Sequence, residues 1–120
     1  MKKFMTLLML LCNLCLFADV NPIILHNGGA ANDHFNFPVP ADEPDVFYNN
    51  VSQTIIIDGG GEVNYYDVEI ISWTTLDTVI SAQVSGYYDT IDVSSLSEGG
   101  YTIFIYSPTG YTFDGDFEIY

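Results

Sequence analysis

Carboxylates are the one reactive group this chain has in quantity: 16 acids against two Lys or Arg and two His in 120 residues. Calcium is the natural use for them, because it takes six to eight hard oxygen ligands and loops can supply several of these. Asp114-Gly115-Asp116 and Asp89-Thr90-Ile91-Asp92 are the candidate runs. Neither has the acids at positions 1, 3 and 5, the Gly at 6 and the Glu at 12 of an EF-hand loop. Asp114 and Asp116 are the candidate metal ligands; no cofactor is expected, calcium being the one the sequence admits. The competing reading is that acids mark the wet face of each strand and keep sheet edges from pairing with other chains.

Enzyme chemistry is not expected. A glycosidase needs two carboxyls held roughly 5 to 10 Å apart across a cleft, one with a raised pKa. Acid pairs are too frequent here to discriminate, and Asp67, Glu69, Asp114, Asp116 and Glu118 all fall at positions that predict solvation. Serines are present, but no Gly-x-Ser-x-Gly elbow is. His26 and His34 are too far apart in sequence for helical i, i+4 or strand i, i+2 ligand spacing.

Aromatic side chains form the third signal. If Tyr101, Ile103 and Ile105 face a core, then Phe104 and Tyr106 point outward, and Tyr65 and Trp73 flank the Tyr66–Ile70 strand on its outward parity. Where the strands that hold Tyr66–Ile70 and Tyr101–Ile105 are neighbours in one sheet, Tyr65, Trp73, Phe104 and Tyr106 form an exposed aromatic patch and are the candidate ligand-binding residues. Such a patch suits a sugar ring or a protein partner. The alternatives are ordinary cross-strand aromatic pairing or cover by the preceding segment.

Residues 1–18 read as a secretory signal peptide. Lys2 and Lys3 form a positive start, and Phe4 to Phe17 is apolar except for Thr6 and Asn13. At ~1.5 Å per residue this stretch is roughly 21 Å long, short of the ~20 apolar residues a membrane span needs. Cleavage is expected after Ala18, although Leu16 is bulky for the pattern. Cys12 and Cys15 invite lipidation, yet each follows a Leu (Leu11, Leu14) where the lipid-attachment consensus wants a small residue. With cleavage after Ala18 no thiol is left, so no disulfide or thiolate metal site is expected. The chain is thus expected to be exported, to the periplasm, the cell surface or the extracellular space.

Cleavage would also remove both lysines, taking the net charge from −14 to that of 16 uncompensated carboxylates. Such a surface repels phosphate backbones and anionic headgroups, which excludes nucleic acid and direct anionic membrane binding. An apolar content of 48% nevertheless argues for a folded core rather than disorder.

Positioning these residues falls to strands. Residues 19–44 carry Asn27-Gly28-Gly29 and the prolines Pro38, Pro40 and Pro44 with no sustained periodicity, and read as an extended, mostly irregular leader that folding can dispense with. From Asp45 the period is two. Val46 and Tyr48, Thr54–Asp58, Tyr66–Ile70, Ile80–Val84, Ile91–Val93, Tyr101–Ile105 and Phe113–Ile119 mark about seven strands. Gly59-Gly60-Gly61, Thr74–Asp77, Gly86 and Pro108-Thr109-Gly110 punctuate them. The expected fold is an all-β, immunoglobulin-like antiparallel β-sandwich over residues 45–120.

Leu96-x-x-Gly99-x-Tyr101 resembles the corner at which immunoglobulin and fibronectin type III domains place a tyrosine whose hydroxyl bonds back to the chain. More narrowly, Tyr66–Ile70, Ile91–Leu96, Gly100–Ile103 and Gly115–Ile119 resemble small secreted domains of unknown function from gut-dwelling Gram-negative anaerobes. That resemblance covers residues 45 to 120 and implies an immunoglobulin-like fold with no activity. The same pattern is similar to C-terminal sorting domains of exported proteins. Those end in a basic tail, where this chain has Asp114 to Tyr120, so a sorting role is not expected.

The sequence therefore predicts an exported, non-enzymatic interaction module that recognises protein or glycan through a sheet face or an edge strand. The alternative is a structural cell-surface domain whose acidic loops bind calcium. Self-repulsion among the carboxylates is expected to raise their pKa values generally.

Overall fold

The computed structural model describes residues 20–27 and 41–120, and the signal segment, Cys12, Cys15 and His34 lie outside them. The described residues form nine strands: β1 Val20–Ile23, β2 His26–Asn27, β3 Asp45–Asn49, β4 Thr54–Asp58, β5 Tyr65–Ser72, β6 Thr78–Ser85, β7 Tyr88–Asp92, β8 Gly99–Tyr106 and β9 Thr112–Ile119. They make two antiparallel sheets, a four-stranded one in the order β1-β3-β4-β7 and a five-stranded one in the order β2-β9-β8-β5-β6. The chain is an immunoglobulin-like sandwich, and β3 to β9 are the strands that the period-two pattern predicts.

Period-two patterning becomes packing directly. Val46 and Tyr48 of β3, Ile55 and Ile57 of β4, and Ile91 of β7 face Tyr66, Val68 and Ile70 of β5, Ile103 and Ile105 of β8, and Phe113 of β9 in one buried cluster. Branched and aromatic side chains suit such a half-buried pleated surface. At one end, Tyr48 and Tyr101 each place a ring 5.6 Å from that of Phe117, so aromatic contacts bridge the sheets.

The leader reading is corrected in part. Val20–Ile23 pairs along its length with β3, from Val20 opposite Asn49 to Ile23 opposite Val46, and His26 and Asn27 pair with Asp114 and Phe113 of β9. Residues 20–27 thus hydrogen-bond to both sheets, and Ile23 is buried in the core. The reason is Gly115, whose position faces inward between Phe113 and Phe117. A Cβ there would lie 2.6 Å from Ile23 Cγ2, so glycine leaves the space that Ile23 fills.

Close backbone approach also joins the sheets where β6 leads into β7. Gly59 and Gly60 donate to the Tyr87 carbonyl, Gly61 donates to that of Gly86, and Gly86 donates to that of Asn64. Gly60 and Gly61 adopt positive φ of 68° and 86°, a conformation that side chains disfavour. The glycine run is therefore both a strand stop and a junction.

Candidate functional site

The outward face of the five-stranded sheet brings together most of the residues singled out by sequence. Tyr106 stands between Asp67 of β5 and Thr112 of β9, Phe104 between Glu69 and Asp114, and Thr102 between Ile71 and Asp116. Alternation along β8 places Phe104 and Tyr106 in one half-exposed row, with carboxylates on both flanking strands. Asp67, Glu69 and Tyr106, with Ser81, Ala82 and Gln83 of β6, line a shallow depression on this face. Burial raises the Tyr106 phenol pKa, and the Glu69 charge adds to the effect, so this hydroxyl stays protonated as a donor.

Tyr65 and Trp73 are not part of one compact patch. Tyr65 begins the eight-residue β5 and Trp73 follows its end, which separates them by roughly 27 Å at ~3.4 Å per residue. Tyr65 is exposed and pairs with Ser85. Trp73 lies across the backbone of Gly100, where a Cβ would come within 1.9 Å of ring atom Cε3. Its indole Nε1 donates to Thr102 Oγ1 at 2.9 Å, and Thr102 Oγ1 donates to Asp116 Oδ1 at 2.7 Å. Trp73 thus covers a glycine that would leave a gap in the sheet, while 46% of it remains exposed. It also walls a cleft of about 410 Å³ with Pro22, Tyr48, Asp116, Glu118 and Tyr120.

The proposed calcium ligands lie in a strand instead of a loop. Asp114 and Asp116 occupy alternate outward positions of β9, roughly 7 Å apart along it, which spreads the carboxylates over a sheet face. Asp89 and Asp92 likewise fall in β7. Asp89 accepts the Ser85 and Thr90 amides at 2.9 and 2.8 Å, and Asp92 accepts the Ser94 amide at 2.9 Å. Among the described residues, no three His, Cys, Asp or Glu converge as metal ligands would.

A buried carboxylate, Asp42, carries no signal in the sequence. Asp42 is only 7% exposed, and its Oδ2 accepts hydrogen bonds from the Ser107 and Thr109 hydroxyls. Its carbonyl accepts the Tyr66 hydroxyl at 2.5 Å. Burial alone would raise the Asp42 pKa, but the two hydroxyls and its own backbone amide outweigh burial and hold it below the usual carboxylate range. Burial, with the nearby Asp42 and Glu62 charges, pushes the Tyr66 phenol up to about 12. The cluster clamps residues 41–44 to the β8–β9 turn. Ser107-Pro108-Thr109-Gly110 signals that turn, but nothing in the sequence pairs it with Asp42.

General elevation of carboxyl pKa values does not hold. Glu43 is raised by burial and by the charge of Asp45, as expected, whereas Asp42 and Asp92 are lowered because hydrogen bonds to their charged forms win.

No protein-family model matches the chain, and no curated protein does. Its structure is similar to a crystal structure of a DUF3244 family protein from Bacteroides vulgatus with an immunoglobulin-like β-sandwich fold. The match has a TM-score of 0.66 and 12% identity, and covers 84% of this chain and 99% of that one. At that identity the likeness establishes the fold: this chain has the immunoglobulin-like β-sandwich architecture of that protein.

Proposed function

We propose that the chain is an exported, non-enzymatic interaction module that engages a basic protein segment through the outward face of β5, β8 and β9. The observation that carries this reading is the placement of Phe104 and Tyr106 between Asp67 and Glu69 on one side and Asp114 on the other. An apolar row between two acidic rows complements an extended segment that alternates apolar and cationic side chains. The chain has no Lys or Arg beyond Lys3 with which to neutralise these carboxylates itself. Catalysis has less support, since Asp42, Ser107 and Thr109 are committed to one another, and His26 lies in β2 opposite Asp114.

The test is a titration of the chain with a ten-residue peptide of alternating Lys and Leu, and separately with a β-linked glucose hexasaccharide. Peptide binding should weaken with salt and fall about tenfold in a Phe104→Ser, Tyr106→Ser variant. Asp89→Asn with Asp92→Asn removes two charges from the other sheet and should leave it almost unchanged. Loss in the Asp89, Asp92 variant with none in the Phe104, Tyr106 variant would reduce the interaction to net charge and overturn the reading. Salt-independent hexasaccharide binding that depends on Tyr106 would replace the basic partner with a glycan.

A further inference from the structure

Sheet edges leave backbone N–H and C=O groups unpaired, and proteins blunt them with short strands, proline or charge. Among the described residues the two sheets have four edges, and three of them are blunted. β1 contains Pro22, β2 has two residues, and β7 has five residues with Asp89 and Asp92 among them. The fourth, β6, runs for eight residues, Thr-Val-Ile-Ser-Ala-Gln-Val-Ser, with no charge, proline or glycine. None of the 16 acids falls within it. Its inward residues Ile80 and Ala82 are only half-buried, whereas Val84 is 4% exposed, so the core is open along this edge.

We propose that β6 pairs antiparallel with β6 of a second copy of this chain, joining the two five-stranded sheets into one. Its own sequence selects that occupant. With a two-fold axis at Ala82, Ile80 of one copy faces Val84 of the other on the inward side, and Ser81 faces Gln83 on the outward side. Apolar residues meet apolar residues, hydroxyl meets amide, and no carboxylate opposes another. The same operation on β7, centred on Thr90, would place Asp89 and Asp92 of both copies in the seam, four carboxylates in a five-residue pairing. The bulge that displaces Val79 between Ile71 and Ile70 lies at the start of β6, leaving Ile80 to Ser85 in unbroken register.

Charge sets the conditions. Asp67 and Glu69 lie one strand behind the new seam, so the two copies' rows are three strand spacings apart, roughly 14 Å. That exceeds the Debye length of ~8 Å at physiological ionic strength but not that of ~30 Å at 0.01 M. Asp77, just before β6, and Asp89, whose carboxylate accepts the Ser85 amide, stand nearest the seam at its two ends. Pairing must therefore strengthen with salt, the reverse of binding to a basic segment. This inference does not depend on the proposed partner, but pairing would give two Phe104–Tyr106 rows on one continuous face.

Sedimentation equilibrium of the chain in 0.02 M and 0.5 M NaCl tests it. A dimer is expected whose dissociation constant falls at least about tenfold at the higher salt. A Ser81→Asp, Gln83→Glu variant opposes like charges twice across the seam and should be monomeric in both buffers. Ser81→Lys with Gln83→Lys should also be monomeric, and an equimolar mixture of the two variants should form a one-to-one heterodimer. Circular dichroism melting establishes that each variant is folded. A chain that is monomeric throughout, a dimer indifferent to both variants, or a mixture that stays monomeric would each overturn the inference.

Discussion

The Tyr101 hydroxyl donates to the Ser97 carbonyl oxygen at 2.6 Å, four residues upstream, while its ring stacks on Phe117 inside the sandwich. One side chain thus ties the chain entering β8 to the core that β8 helps build. This is the arrangement of the tyrosine corner in immunoglobulin-like domains. Gly99, at φ 147°, lies between acceptor and donor and allows the tight approach. Tyr101→Phe should keep the packing and lose the hydrogen bond, about 0.5 to 1.5 kcal/mol, read as a lower urea midpoint with an unchanged slope. An unchanged midpoint would mean that the bond contributes nothing net.

Tyr101 is legible in the sequence because its signal is local: Leu, Gly and Tyr at fixed offsets, followed by a period-two run. The strands from β3 to β9 are legible for the same reason. β1 is not, because four residues with a proline carry no periodicity, and the partner that buries Ile23 is a glycine about ninety residues later. Gly115 does leave a trace in the inward row of Phe113, Phe117 and Ile119, where it stands in place of a large side chain. Outward parity was enough to place Phe104 and Tyr106 side by side. It was not enough for Trp73, whose role depends on Gly100 arriving beneath it through the β5–β8 register.

Ile23 and Gly115 predict that the segment before Asp45 is needed for full stability. Ile23→Ala should cost about 2 to 5 kcal/mol, the range for truncating a buried isoleucine. Gly115→Ala should also destabilise, since its Cβ would meet Ile23 Cγ2 at 2.6 Å and the Ile24 carbonyl at 3.0 Å. A chain beginning at Asp45 would lose β1, β2 and Asp42 and should unfold at markedly lower urea. Identical midpoints for the short and full chains would show that residues 20–27 add no stability.

Asp42 predicts an acid limit to stability. Its folded pKa lies below the ordinary 3.8, so its contribution is complete above that value and is lost as pH falls through the folded pKa. Asp42→Asn keeps the shape but weakens acceptance from Ser107 and Thr109. It should cost about 1 to 3 kcal/mol at pH 7 and flatten the decline in melting temperature below pH 4. Tyr66→Phe, which removes the bond to the Asp42 carbonyl, should lower stability without changing that acid limb. A wild-type acid limb in Asp42→Asn would assign it to other groups.

Calcium can be tested separately from its ionic strength. Asp114 and Asp116 lie on a strand face, and Asp116 already accepts the Thr102 hydroxyl. Calcium chloride should therefore raise the melting temperature no more than sodium chloride of equal ionic strength. A larger rise that chelator reverses, and that Asp114→Asn abolishes, would identify a specific native-state site by mass action.

The last prediction concerns net charge near neutral pH. Glu43 has a folded pKa above its ordinary 4.5, chiefly because of burial and further because Asp45 is close. A raised folded pKa gives stability that is present when the group is protonated in both states and declines as pH rises through the folded pKa. Asp42 acts in the opposite sense, but its window closes below 3.8. Between pH 3.8 and 4.5 both contributions are retained. Above them the decline is that of Glu43, and the ionised carboxylates, which no Lys or Arg beyond Lys3 offsets, make the chain responsive to salt. In low salt the melting temperature should thus be higher at pH 5 than at pH 7.5, and 0.5 M NaCl should narrow the difference by shortening the Debye length to roughly 4 Å. Glu43→Gln should remove part of the decline. A higher melting temperature at pH 7.5 than at pH 5 in low salt would show that hydrogen bonds to ionised carboxylates, of the kind Asp42 and Asp92 make, govern the neutral range instead of repulsion.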